Sequence, residues 1–323
     1  VSNKKLVRRG AIAAIAVLTM LASACSSNTD VSGGDKGGSA SGGSIGKDYD
    51  LKGASFTVGS KEFTESVVLG QITIAALEAA GAKVNDKTGI SGTDTVRAAL
   101  TSKEIDMYWE YTGTGWVNIL KHTTTDLPTD LYKAVADADK ANGVTWLPAA
   151  PFNDTYRIAV KADFAKKNKI ESMSDAAAYI NKNPSDGTLC AASEFLNRDD
   201  GLPGLEKDYG TKFKVTELDL NLIYPQVGKD CNFGEVFSTD ARIVSNKLQT
   251  LKDDKKFFVD YNGALTVRTD VLDKNPDIAK IMEPISKELT DKVVTEMNSK
   301  VDNDGEKPAA VAKAFLKDHG YID

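Results

Sequence analysis

At 323 residues, 41% hydrophobic and 27% charged, the chain has the composition of a soluble globular protein with one large or two medium domains. Its formal net charge is −6, but Lys4, Lys5, Arg8 and Arg9 lie in the first 24 residues, leaving 36 of the 40 Lys and Arg against 46 Asp and Glu. That acidic balance argues against a general nucleic-acid surface and for an exported body.

The first 24 residues read as a targeting segment. A basic start is followed by an apolar run over 11–24, too short to span a bilayer, and by Ala22-Ser23-Ala24 before Cys25. The pattern resembles a bacterial lipoprotein signal, in which Cys25 is lipidated, becomes the mature first residue and anchors the protein to the outer face of the cytoplasmic membrane. An ordinary secretory signal cut nearby is the competing reading, and both place the protein outside the cytoplasm. Residues 26–50 are rich in Ser and Gly and read as a flexible tether with a root-mean-square reach of roughly 25–30 Å. Within it, Gly42-Gly43-Ser44-Ile45-Gly46 matches the serine-hydrolase elbow only as a string, because no strand precedes it and no helix follows.

The folded body alternates strand and helix. A strand over 55–59 leads through Ser60-Lys61-Glu62-Phe63 to a helix over 64–80 that Thr64 caps and Gly81 ends. A second strand is expected near 83–84. A helix from Thr93 or Asp94 then feeds the strand Met107-Tyr108-Trp109-Glu110-Tyr111, after which Gly113 and Gly115 read as a chain reversal. Further helices are expected over 127–142, 162–169, 174–182, 220–227, 276–289, 291–300 and 308–318. Ser172 or Ser174 caps the helix over 174–182. Strands fall over 155–160, 188–191, 235–240 and 263–268, and residues 195–204 form a loop that opens a helix. Such alternation argues for parallel sheet, with ligand bound beyond the strands' carboxyl ends, where Tyr111 and Thr114 sit.

Two internal echoes point to duplication. Glu110-Tyr111-Thr112-Gly113-Thr114 is loosely repeated by Val236-Phe237-Ser238-Thr239-Asp240, and the 159–164 segment by 266–271. They imply two similar α/β lobes, 51–152 plus 262–323 and 153–261, with the chain crossing over near 152–156 and 259–263. Cys190 and Cys231 both fall in the second lobe. In an exported chain they form a disulfide, worth about 4 kcal/mol by loop entropy, or else remain two buried thiols. His122 and His319 are the only histidines. With no Cys/His metal spacing, phosphate loop or credible nucleophile elbow, neither an enzyme nor a cofactor is expected.

Three stretches in this order, Gly59-Ser60-Lys61-Glu62-Phe63-Thr64-Glu65, Tyr108-Trp109-Glu110-Tyr111-Thr112-Gly113-Thr114 and Asn197-Arg198-Asp199-Asp200-Gly201-Leu202-Pro203-Gly204, resemble the substrate-binding lipoproteins of osmoprotectant ABC transporters. The resemblance covers about 56–320. It implies a two-lobed periplasmic-binding-protein-like fold, a membrane permease as partner, a monomeric state and a small quaternary-ammonium solute such as glycine betaine, proline betaine, carnitine or choline. It also implies an aromatic box from Tyr111, Tyr156, Phe237 and Tyr261, with Lys61, Thr114 and Arg198 at the ligand's carboxylate end. Where relatives often carry Tyr, Phe237 keeps the ring and loses a hydroxyl. Thr114 stands where choline-specific relatives tend to have an acid, which argues against a strictly choline-restricted pocket.

The chemistry supports those residue types independently. A trimethylammonium group is cationic but offers no N–H, so ring faces suit it at about 0.5–2 kcal/mol each, while a carboxylate suits Lys, Arg and hydroxyl donors. Each residue also has a plainer structural reading: tyrosines as core or rim, Lys61 as a solvated charge, Arg198 paired with Asp199 or Asp200 on the surface. Tyr224 and Trp109 read as structural, and Trp116 and Trp146 are left unassigned. A sensor for the same solutes is the alternative function.

Overall fold

The computed structural model describes residues 43–323; the targeting segment, Cys25 and the tether up to residue 42 lie outside the described residues. Among the described residues, ten strands build two five-stranded sheets. The first contains β1 (Ser55–Lys61), β2 (Lys83–Ile90), β3 (Met107–Tyr111), β4 (Val144–Trp146) and β10 (Gly263–Arg268), in the order β2-β1-β3-β10-β4. The second contains β5 (Tyr156–Lys161), β6 (Thr188–Ala191), β7 (Lys214–Glu217), β8 (Phe233–Phe237) and β9 (Leu248–Thr250), in the order β7-β6-β8-β5-β9. The two orders are equivalent position by position. The echoed segments occupy matching places: β3 and β8 are each the central strand, and β10 and β5 each the fourth.

The sheets are mixed rather than parallel throughout. β1 runs parallel to β2 and β3, and β6 parallel to β7 and β8, but β10 is antiparallel to β3 and β4, and β5 to β8 and β9. The reason is connectivity. β5 and β10 are the strands the chain enters after crossing between sheets, so each starts at the edge where its neighbours end. The crossing segments lie side by side, joined by the antiparallel bridge Asn153–Asn262. Asp154 N donates to Tyr261 O at 3.1 Å and Tyr261 N to Asn153 Oδ1 at 2.8 Å.

Several expected details differ. The tether's end is folded: Ser44–Asp48 is a short helix whose Ile45 is buried, with the Ser44 and Ile45 amides donating to Gly320 O and Tyr321 O. One large apolar side chain that is buried in the core, with the short helix packed on Thr64–Ala79, is enough to dock a Gly-rich stretch. The helix Thr64–Ala79 begins after Phe63, and Thr64 donates its hydroxyl to Asp302 Oδ1 at 2.6 Å instead of capping. The helix expected over 127–142 is confined to Leu131–Asp139 and a short 3-10 turn, because the cap is Asp130, whose carboxylate accepts the Lys133 amide. β4, β7 and β9 went unpredicted as strands, being edge strands of three or four residues, β7 with every residue exposed.

The reversal expected at Gly113 and Gly115 is helical, an α-turn over Thr112–Thr114 followed by π-helical turns over Gly115–Ile119. Those glycines serve close packing. A Cβ on Gly113 would stand 2.6 Å from Tyr261 Cε1, and one on Gly115 2.7 Å from Val135 Cγ1. Trp109 is fully buried with its indole donating to Thr73 Oγ1 at 2.9 Å. Cys190 in β6 and Cys231 just before β8 are bonded, tying neighbouring strands of the second sheet.

Candidate functional site

The same connectivity gathers the side chains of the cleft. Tyr111 is the last residue of β3 and Phe237 the last of β8, while Tyr156 opens β5 and Tyr261 lies two residues before β10. Because β5 and β10 are antiparallel to their neighbours, their amino ends meet the carboxyl ends of β8 and β3: Tyr156 pairs with Phe237, and Gly263 with Tyr111. All seven residues expected at the site, Lys61, Tyr111, Thr114, Tyr156, Arg198, Phe237 and Tyr261, line one cavity of about 750 Å³ between the two sheets.

The rings form a continuous wall. Tyr111 lies 5.8 Å from Phe63, Phe63 5.1 Å from Phe237, Phe237 5.0 Å from Tyr156, and Tyr156 5.3 Å from Tyr261, the last pair edge to face. Tyr111 donates its hydroxyl to Glu65 Oε1 at 2.8 Å and Tyr261 to Asp200 Oδ2 at 2.6 Å, which fixes both ring planes. The Tyr156 hydroxyl has no hydrogen-bond partner among the described residues, and the Arg198 guanidinium stands 5.4 Å from its ring centroid. Behind the wall, the hydroxyl of Tyr224 accepts the Phe237 amide at 3.1 Å, so its role is structural, as expected.

Beside the rings is a paired polar group. Arg198 is 4% exposed and far from a surface ion pair. It grips Asp200 through Nε (2.8 Å) and Nη2 (2.6 Å), reaches Glu194 Oε1 through Nη1 (2.6 Å) and Thr114 Oγ1 through Nη2 (3.3 Å). Lys61 pairs with Glu110 Oε1 at 2.7 Å and donates to Thr93 Oγ1 at 2.9 Å. A guanidinium has five N–H groups and an ammonium three, so each cation retains one uncommitted donor. Burial works to raise the Glu194 carboxyl, but Lys61, Arg198 and the hydroxyl and amide of Thr93 outweigh it and hold the group at about 2.

A third group is short of protons. Thr239 Oγ1 lies 2.5 Å from Glu65 Oε2 and 2.7 Å from Asp154 Oδ1. A hydroxyl donates one hydrogen, so the second contact requires a proton on one of the two carboxyls. Burial accordingly pushes Glu65 up to about 7 against its hydrogen bonds to Thr239, Tyr111 and Asn298, and burial together with the Glu65 charge pushes Asp154 well up. Glu235, on the cavity wall, is pushed up to about 8 by burial.

Sequence reasoning missed Phe63, Thr93, Glu194, Asp200 and Glu235 as cleft residues. Phe63 and Asp200 lie inside stretches already singled out, adjacent to Glu62 and two residues from Arg198, so proximity could have flagged them. Nothing in the local pattern marks Thr93, Glu194 or Glu235.

Residues 54–318 match the family described as the substrate binding domain of the ABC-type glycine betaine transport system. The chain is 34% identical over 276 residues to the glycine-betaine-binding protein of Pseudomonas aeruginosa, spanning 82% of this chain and 88% of that protein. It is also 34% identical over 263 residues to the ergothioneine transport permease/ergothioneine binding protein EgtU of Helicobacter pylori, spanning 80% of this chain but 47% of that longer protein. The solved structure of apo YehZ from Escherichia coli superposes with a TM-score of 0.61 at 32% identity, over 83% of this chain and 99% of that one. The fold is accordingly the two-lobed one of such binding proteins, and the chain belongs to the substrate-binding domain family of ABC-type glycine betaine transport systems.

Proposed function

We propose that the protein captures a quaternary-ammonium solute between its two lobes and delivers it to an ABC permease, and that Cys25 tethers it by lipid to the outer face of the membrane. The observation that carries this reading is the five-ring wall with Lys61 and Arg198 beside it. Ring faces meet a methylated cation with negative quadrupole and apolar contact together, where a carboxylate would find no proton to accept. The one spare donor on each of Lys61 and Arg198 suits the two oxygens of a ligand carboxylate. Several rings acting together are compatible with micromolar affinity, about −8 kcal/mol.

Residues of both lobes also hydrogen-bond to each other around the cleft. The Thr93 hydroxyl donates to Glu194 Oε1 at 2.7 Å and its amide to Glu194 Oε2 at 3.1 Å, while Asn298 donates to Thr239 O at 3.2 Å. This is the pattern expected of a clamshell that shuts over its guest. The relatives' names supply two trimethylammonium solutes of different size, glycine betaine and ergothioneine. Titration calorimetry with both provides the test. At least one should bind, with Tyr111→Ala and Tyr156→Ala each weakening it at least tenfold while the far-ultraviolet spectrum is unchanged. Glycine binding as tightly as glycine betaine would contradict the reading.

A further inference from the structure

Glu235 sits in the cleft wall with half of its carboxyl unused. It lies two residues before Phe237 on β8, hence on the same face, and diagonal to Tyr156 across the β5–β8 pairing, where Ile158 is its direct partner. The side chain is 1% exposed. Oε2 accepts the Ala192 amide at 2.8 Å, and among the described residues Oε1 has no hydrogen-bond partner, although the residue lines the cavity. The charged groups acting on it most strongly are Glu194 and Arg198. It therefore stands between the rings, which would hold a methylated nitrogen, and the polar group, which would hold a carboxylate.

Oε1 is not sealed in the core but opens onto the cavity, so a ligand that fills the cleft without offering it a partner would bury it unmatched, at a cost of about 1–3 kcal/mol. A site built to hydrogen-bond a ligand group also discriminates strongly against the analogue that lacks it. Trimethylammonium acetate has only a methylene between its two ends and would leave Oε1 unmatched. The cavity, at about 750 Å³, falls within the range that holds ligands considerably larger than that.

Building on the quaternary-ammonium reading, we propose that Glu235 reads a hydroxyl or ring N–H on the body of the ligand, so that the preferred solute is a functionalised betaine rather than trimethylammonium acetate. A carboxyl that stays neutral near pH 7 can both donate to and accept from a hydroxyl without placing a second negative charge beside Glu194.

The test uses ligands that differ in that one group. L-carnitine and 4-trimethylammoniobutanoate share a skeleton and differ by a single hydroxyl; ergothioneine offers a ring N–H. With the full chain at pH 7, carnitine or ergothioneine should bind at least tenfold tighter than 4-trimethylammoniobutanoate. That advantage should persist in Glu235→Gln, whose amide still hydrogen-bonds, and fall below threefold in Glu235→Met. In wild-type protein labelled with 13C at the glutamate carboxyls, the Glu235 resonance, assigned by its disappearance in Glu235→Gln, should move with the preferred ligand and stay in place with 4-trimethylammoniobutanoate. This keeps the test decisive if Glu235→Met does not fold. No advantage in the wild type, an advantage that survives Glu235→Met, or an unmoved resonance would overturn the proposal. Failure of every trimethylammonium solute to bind would instead remove the reading on which it rests.

Discussion

Each tyrosine of the ring wall has its hydroxyl held differently, and the differences follow from which acids are buried nearby. Tyr111 leans on Glu65, Tyr261 on Asp200, and Tyr156 on no described group. Asp200 is gripped by Arg198, while Glu65 shares too few hydrogens with Asp154 and Thr239. This has a consequence for stability. Glu65 and Glu235 ionise near 4.5 under ordinary conditions, but the folded protein keeps them protonated up to about 7 and about 8. Between those limits the folded state binds more protons than the unfolded one. The stabilisation is complete below about pH 4.5 and is lost progressively as pH rises to about 7 for Glu65 and about 8 for Glu235, at about 1.4 kcal/mol per pH unit for each proton. Urea unfolding should therefore give a lower midpoint at pH 8 than at pH 5.5, and Glu235→Gln should remove about half of that slope. A midpoint that is flat or rises over this range would show that the carboxyls are ionised in the fold.

The element that brings most of the site together is β3 with the helical turns after it. Its residues Met107 to Tyr111 are buried without exception, and Glu110 and Tyr111 both face charged or aromatic partners of the cleft. Gly113 lets this segment pass against Tyr261, since a methyl group there would stand 2.6–2.8 Å from the ring and from Val259. Gly113→Ala should thus push Tyr261 out of line. The expected outcome is a loss of affinity of about tenfold or more with a modest fall in stability, about 1–3 kcal/mol for overpacking. Calorimetry and urea unfolding on one sample separate the two, and unchanged affinity would mean that Tyr261 is dispensable to the wall. The elements legible in the sequence were those with strong periodicity or caps, such as Met173–Lys182 with its Ser172 capping box. Those that escaped, β4, β7 and β9, are edge strands of three or four residues whose existence depends on a neighbour supplying hydrogen bonds.

At the scale of the whole molecule, the two lobes meet through few but charge-assisted contacts around the cleft. Thr93 makes one of them, accepting a hydrogen bond from Lys61 and donating one to Glu194 of the other lobe. Thr93→Val keeps the shape and removes both bonds. Hydrogen bonds to charged groups contribute about 1.5–3 kcal/mol, so the variant should bind its solute at least tenfold more weakly. Small-angle scattering should show a larger mean radius of gyration at a fixed subsaturating solute concentration. An unchanged affinity would place Thr93 outside the closing contacts.

By itself the sequence determined the α/β alternation, the duplication of the lobes and seven side chains of the cleft, because each of these leaves a local trace: periodicity, a repeated strand end or a recognisable motif. It left Cys190 and Cys231 as either a disulfide or two thiols, and the fold shows them bonded. Only the tertiary structure decided that the sheets are mixed, that Phe63 completes the ring wall, that Arg198 is buried between Asp200 and Glu194, and that Glu65 and Glu235 hold protons near neutral pH. Those facts depend on which strands the chain enters after crossing between lobes and on how completely burial strips water from a charge. Neither quantity is carried by residues adjacent in the chain.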